Sequence, residues 1–99
     1  LKEKNIDFII TDHHNPSEKI PDAFAVINPK QIDCPYPHKS ICGAQVIWLF
    51  LAQIKRELNL KINMQKFIDL VSIAVIADLM PIKDLNHAIV KAGLQQFMK

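Results

Sequence analysis

A chain of 99 residues, 49% hydrophobic and 22% charged, has room for one small domain and not for two. Its 2 Gly and 6 Pro exclude fibrous and low-complexity classes, and a formal charge of +2 does not by itself announce a nucleic-acid partner. Two cysteines make no secreted disulfide framework, no secretory leader is read at the start, and no apolar run reaches the ~20 residues of a membrane span. A cytoplasmic origin is therefore expected.

Leu1-Lys2-Glu3-Lys4-Asn5 reads as the last turn of a helix closed by Asn in the left-handed cap position. A helix end without its helix is expected of a segment of something longer. Ile6 to Ile10 is a short apolar run broken only at Asp7, which at this length predicts a buried strand. Asn15-Pro16-Ser17 and Pro21-Asp22 mark turns, and Ala23 to Ile27 gives a second strand closed by Asn28-Pro29. From Asn28 to Ser40 there is no periodicity, and Pro29, Pro35 and Pro37 predict a loop.

Three helices follow. The first is predicted from Ser40, as its cap, to about Leu58, with Ala44, Ile47, Trp48, Leu51 and Leu58 on one face and a first half apolar nearly all round. Trp48 and Phe50 are expected in the core rather than as base-stacking platforms. The second starts near Asn63 and is apolar on most faces, from Phe67 to Leu79, so burial of most of it is expected. The third begins near Asp84 and places Leu85, Ile89, Val90, Leu94 and Phe97 at helical spacing. Strands followed by helices predict an α/β fold with a parallel sheet flanked by helices.

Asp12-His13-His14 directly follows the first strand, where α/β proteins place binding groups. A carboxylate beside two imidazoles suits a divalent transition metal, and a solvated polar turn has the same composition. Val71, Val75, Asp78 and Ile82 fall at i, i+4, i+7 and i+11, which sets a carboxylate on an apolar helical face. Pro81 ends the helix nearby, so Asp78 lies in the last turn, where the dipole disfavours an anion. Asp78 therefore calls for a cation: a metal, an Arg or Lys, or a proton. Gly43, at a helix start, suits either a phosphate or close packing. Cys34, His38 and Cys42 offer a zinc set at equal steps, with ordinary thiols as the alternative.

Taken in order, Ile9-Ile10-Thr11-Asp12-His13-His14, Ile27-Asn28-Pro29, Cys34-Pro35-Tyr36-Pro37, Ile41-Cys42-Gly43-Ala44 and Ile76-Ala77-Asp78-Leu79-Met80-Pro81 resemble the third and fourth motifs of RecJ exonucleases in the DHH phosphoesterase superfamily. The similarity extends to Asp84, Asn86 and Gly93-Leu94. It implies a partial DHH domain over residues 1–99, with two Mn2+ or Mg2+ ions held by Asp and His. His13 and Asp78 are then metal ligands, Asp12 orients the site, and His14, with Gly43, contacts the phosphate. The whole enzyme is then expected to hydrolyse single-stranded DNA from the 5′ end in repair and recombination.

Departures from the family are visible as well. The upstream Asp-x-Asp motif, a further Asp motif and the DNA-gripping domains are absent, so the fragment alone is expected to be inactive. Gln45 stands where a small Gly is common, and His87 where Arg is frequent. Two rival readings stay open: a DHH phosphodiesterase for oligoribonucleotides, cyclic dinucleotides or polyphosphate, and a non-catalytic zinc or interaction module. Apolar faces left without a sheet would also favour self-association.

Overall fold

The computed structural model describes residues 4–19 and 22–98. Two short strands, β1 (Ile9–Thr11) and β2 (Ala25–Ile27), pair in parallel with Ile9 opposite Ala25, Ile10 opposite Val26 and Thr11 opposite Ile27. The ladder continues beyond both ends, Phe24 N–H donating to the Phe8 carbonyl (3.0 Å) and Asp12 N–H to the Ile27 carbonyl (2.9 Å). The apolar run therefore becomes a strand only where a partner faces it, which shifts β1 towards Thr11. Parallel pairing has one functional consequence: the ends of both strands, Asp12-His13-His14 and Asn28-Pro29, leave the same edge.

The loop over residues 28–40 carries no helix or strand, as expected. It is closed by Lys39, whose Nζ donates to the carbonyls of Pro29 (2.5 Å) and Cys34 (2.6 Å). Asn5 has φ 55, the left-handed conformation predicted for a helix stop, while residues 1–3 of that predicted turn lie outside the described residues. Pro21 of the second predicted turn lies outside them too.

Three helices follow the loop: α1 (Gly43–Glu57), α2 (Ile68–Ala77), entered through a 3-10 turn at Met64–Phe67, and α3 (Asp84–Phe97). Ser40 does not cap α1, because Cys42 is the N-cap and its N–H is taken by the Gln45 side chain (2.7 Å). Asn63 opens the 3-10 turn with its side chain accepting from Gln65 N–H. The two strands and three helices are the α/β arrangement that the sequence predicts.

Cys42, Val71, Val75, Ile89 and Val90 form the buried core, with Ala44, Trp48, Ile68, Met80 and Leu85 packed against it. Trp48 belongs to this core as expected, and its indole N–H donates to the Met64 carbonyl (2.9 Å). The predicted inner face of α1 is corrected: Gln45 and Val46 are buried, whereas Ile47, Leu51 and Leu58 are exposed. The helix meets β1 as well as α2, with Ala44 and Trp48 packed against the core of Val71 and Val75, and this turns the predicted face partly outward. Burial of most of α2 is corrected too. Val71, Ser72 and Val75 are enclosed by α3 and α1, while Leu70, Ile73 and Ile76 face outward because two strands offer nothing to cover them. Among the described residues, no helix is long and apolar enough to cross a membrane.

Candidate metal centre

His13 reaches its place because β1 ends at Thr11 and the chain turns over its own Asp12. The Asp12 carboxylate accepts the backbone N–H groups of His13 (2.7 Å) and His14 (3.2 Å) and meets His14 Nδ1 at 2.7 Å. The His14 ring and these two amides hold the Asp12 carboxyl below the usual carboxylate range. A buried Asn28 from the end of β2 completes the turn, donating from Nδ2 to the His14 carbonyl (2.8 Å) and accepting Lys30 N–H (3.0 Å). Both strand ends are thereby tied into one unit.

Asp78 arrives from the opposite side as the C-cap of α2. The helix closes with Met80 N–H on the Val75 carbonyl and Leu79 N–H on the Ile76 carbonyl, both 3.1 Å, and with Leu79 in the left-handed region at φ 56. This is the two-bond Schellman closure, here made by Leu where Gly is usual. It stops the helix at the residue that carries the carboxylate.

The two groups meet: His13 Nε2 lies 3.7 Å from Asp78 Oδ2, with the imidazole mostly buried and the carboxylate 47% exposed. Around them His13, Cys42, Gly43, Ala44, Ala74, Ala77 and Asp78 line a wide, open recess of about 380 Å³. Its other walls are small residues, which leave space in front of the pair. Gly43, the first residue of α1, lies against the imidazole, since a Cβ there would sit 3.5 Å from His13 Cδ2. Three of the residues singled out in the sequence, His13, Gly43 and Asp78, are thus at one recess. Asp12 and His14 share the turn with His13 but do not line the recess, and the His14 ring is exposed with its centroid 4.2 Å from that of His13.

An imidazole nitrogen and a carboxylate oxygen are suitable donors for a divalent ion, and two bonds of about 2.1 Å each span the gap between them. The pair therefore fits part of a coordination sphere. Among the described residues, no group of three or more His, Cys, Asp or Glu donors is placed to hold a metal. That finding also counts against the zinc module. Cys42 is buried in the core beside Val71 and Val75, and His38 instead packs edge-on to Tyr36 in the loop, ring centroids 5.5 Å apart. Cys34, His38 and Cys42 are not a ligand set.

Sequence reasoning missed the structural weight of Asn28, read only as a turn residue, and of Gln45, read only as a departure from a small residue. Gln45 is fully buried and bonded at both ends of its carboxamide.

Comparison with known proteins gives a consistent picture. The description "DHH family, N-terminal domain" matches residues 1–75. The chain is 38% identical over 98 residues to the single-stranded-DNA-specific exonuclease RecJ of Bacillus subtilis, covering 99% of this chain and 12% of that protein. It is 35% identical over 104 residues to RecJ of Haemophilus influenzae, covering 97% of this chain and 18% of that one. With RecJ of Thermus thermophilus it shares 34% identity over 94 residues, 95% of this chain and 14% of that protein. The chain thus spans less than a fifth of the length of these curated relatives. No solved structure matches.

Proposed function

The chain belongs to the DHH family, and from that premise we propose that it is part of the catalytic domain of a metal-dependent exonuclease acting on single-stranded DNA. The observation that carries the reading is the meeting of His13 and Asp78 at 3.7 Å, from distant parts of the sequence, in a recess edged by Gly43. Similarity to RecJ proteins over nearly the whole chain supports the substrate.

In this reading His13 and Asp78 hold one divalent ion, Mn2+ or Mg2+, and share the site with carboxylates from the rest of the protein. When bound, such ions stabilise the charge that builds on phosphate oxygens and activate water for attack. The residues of this chain prepare the site. Asp12 fixes the turn that presents His13, and Asn28 anchors that turn to the sheet. His14, held at Nδ1 by Asp12, keeps Nε2 for an incoming phosphate and donates to it when the ring is doubly protonated. Gly43 keeps the wall beside His13 free of a side chain, so a phosphodiester can approach closely. With two donors of its own, the 99-residue segment alone is expected to be inactive.

The test is product analysis of the whole protein with Mn2+ on 5′-labelled single-stranded DNA, on a short oligoribonucleotide and on a cyclic dinucleotide. Release of labelled nucleotide from the DNA 5′ end, outpacing the other two substrates, is the expected result. Preference for the oligoribonucleotide or cyclic dinucleotide would overturn the substrate, and metal-independent release would overturn the chemistry.

A further inference from the structure

One buried polar chain links the two sides of the recess. Gln45, in the first turn of α1, accepts the Cys42 N–H at Oε1 (2.7 Å) and donates from Nε2 to Asn86 Oδ1 (2.6 Å). Asn86, in the first turn of α3, donates from Nδ2 to the carbonyls of Ser40 (2.7 Å) and Pro81 (2.9 Å). Gln45 is 0% and Asn86 4% exposed, and among the described residues no buried side-chain nitrogen or oxygen lacks a partner.

The orientation of both carboxamides is forced. A backbone N–H can only donate, so the Gln45 oxygen must face Cys42 and its nitrogen must face Asn86. Two backbone carbonyls can only accept, so the Asn86 nitrogen must face Ser40 and Pro81, leaving its oxygen for Gln45. Each amide thus admits one arrangement, and in a water-excluded interior a network of this kind holds its elements stiffly while a broken member is costly.

What the network holds apart is the metal pair. One end fixes Cys42 and the start of α1, whose Gly43 lies against the His13 ring. The other end fixes Pro81, joined to Asp78 only by the strained Leu79 and by Met80. We infer that Gln45 and Asn86 are positioning residues that set the separation of His13 and Asp78, so that metal affinity and turnover depend on a contact neither residue makes with the metal. This rests on the metal-dependent reading above. It also gives the fully buried Gln45 a task beyond packing.

The experiment uses the whole protein and the variants Gln45→Met, which keeps length and removes both bonds, and Asn86→Ser, which breaks the chain from the other end. Either variant suffices if the other does not fold. Ile89→Ala, a truncation of the shared core in α3 that removes no wall of the recess and neither bond of Gln45, is the control for lost stability. Mn2+ affinity is measured by calorimetry, kcat and KM on single-stranded DNA by nucleotide release, and stability by thermal unfolding. The expected result is Mn2+ binding about tenfold weaker and a reduced kcat at an almost unchanged KM, with Ile89→Ala keeping both the affinity and kcat. Variants that bind Mn2+ as the wild type does, or that lose no more affinity than Ile89→Ala, would overturn the positioning role. A wild-type protein that binds no Mn2+ would instead overturn the metal reading itself.

Discussion

Asn28 shows how much of the site depends on residues that never touch a ligand. Its side chain donates to the His14 carbonyl and accepts Lys30 N–H, so a single amide joins the end of β2 to the turn after β1. Asn28→Ala leaves both backbone groups without their partner and is expected to cost about 1–3 kcal/mol, read as a lower urea midpoint of the protein at unchanged slope. The same substitution should weaken Mn2+ binding, because His13 leaves from the turn that Asn28 anchors. His13 and Asp78 were legible in the sequence as chemical anomalies: a metal-suited tripeptide at a strand end, and a carboxylate on an apolar helix. Gln45 and Asn86 were not. Their bond joins residues far apart in the chain, and local periodicity carries no trace of such a partner.

At the scale of elements, the helix ends set the geometry more than the helix faces do. Both α1 and α2 finish in the two-bond Schellman closure, with Asn59 at φ 53 after α1 and Leu79 at φ 56 after α2. Asn tolerates the left-handed region, whereas Leu pays a steric penalty of roughly 1–2 kcal/mol there. Leu79 is 88% exposed, so its side chain returns little by packing. Leu79→Gly is therefore expected to stabilise the protein, by roughly 0.5–1 kcal/mol after the greater freedom of Gly in the unfolded chain is deducted, as a raised urea midpoint. The α2–α3 crossing makes the opposite prediction. A Cβ on Gly93 would lie 2.2 Å from Ser72 Oγ and 2.7 Å from the Ile68 carbonyl, and Ser72 is fully buried. Gly93→Ala must push the helices apart and is expected to cost about 3 kcal/mol or more, seen as a lower thermal midpoint. Three helices and two strands were readable from periodicity, but the inner face of α1 was not. A helix packed on two sides has no single apolar stripe, so of the predicted face Ala44 and Trp48 meet the core while Ile47, Leu51 and Leu58 lie outside.

Across the whole molecule, the parallel pairing of β1 and β2 and the stop of α2 at Asp78 converge on one edge, and this convergence is what makes the chain a candidate catalytic segment. The radius of gyration, 15.0 Å, exceeds the roughly 13 Å of a closed domain of this length. The outward Leu70, Ile73 and Ile76 of α2 agree with that openness. Two donors at 3.7 Å amid small residues are suited to part of a divalent site, the part that the proposed function assigns to them. In the proposed function His13 and Asp78 hold the same ion. The most direct test of this is pulsed electron paramagnetic resonance of the Mn2+-loaded whole protein, comparing wild type, His13→Ala and Asp78→Asn. An imidazole nitrogen coupling to Mn2+ is expected in the wild type, lost in His13→Ala and weakened or lost in Asp78→Asn as the ion leaves. An unchanged nitrogen coupling in His13→Ala, with Mn2+ bound as tightly as in the wild type, would contradict it.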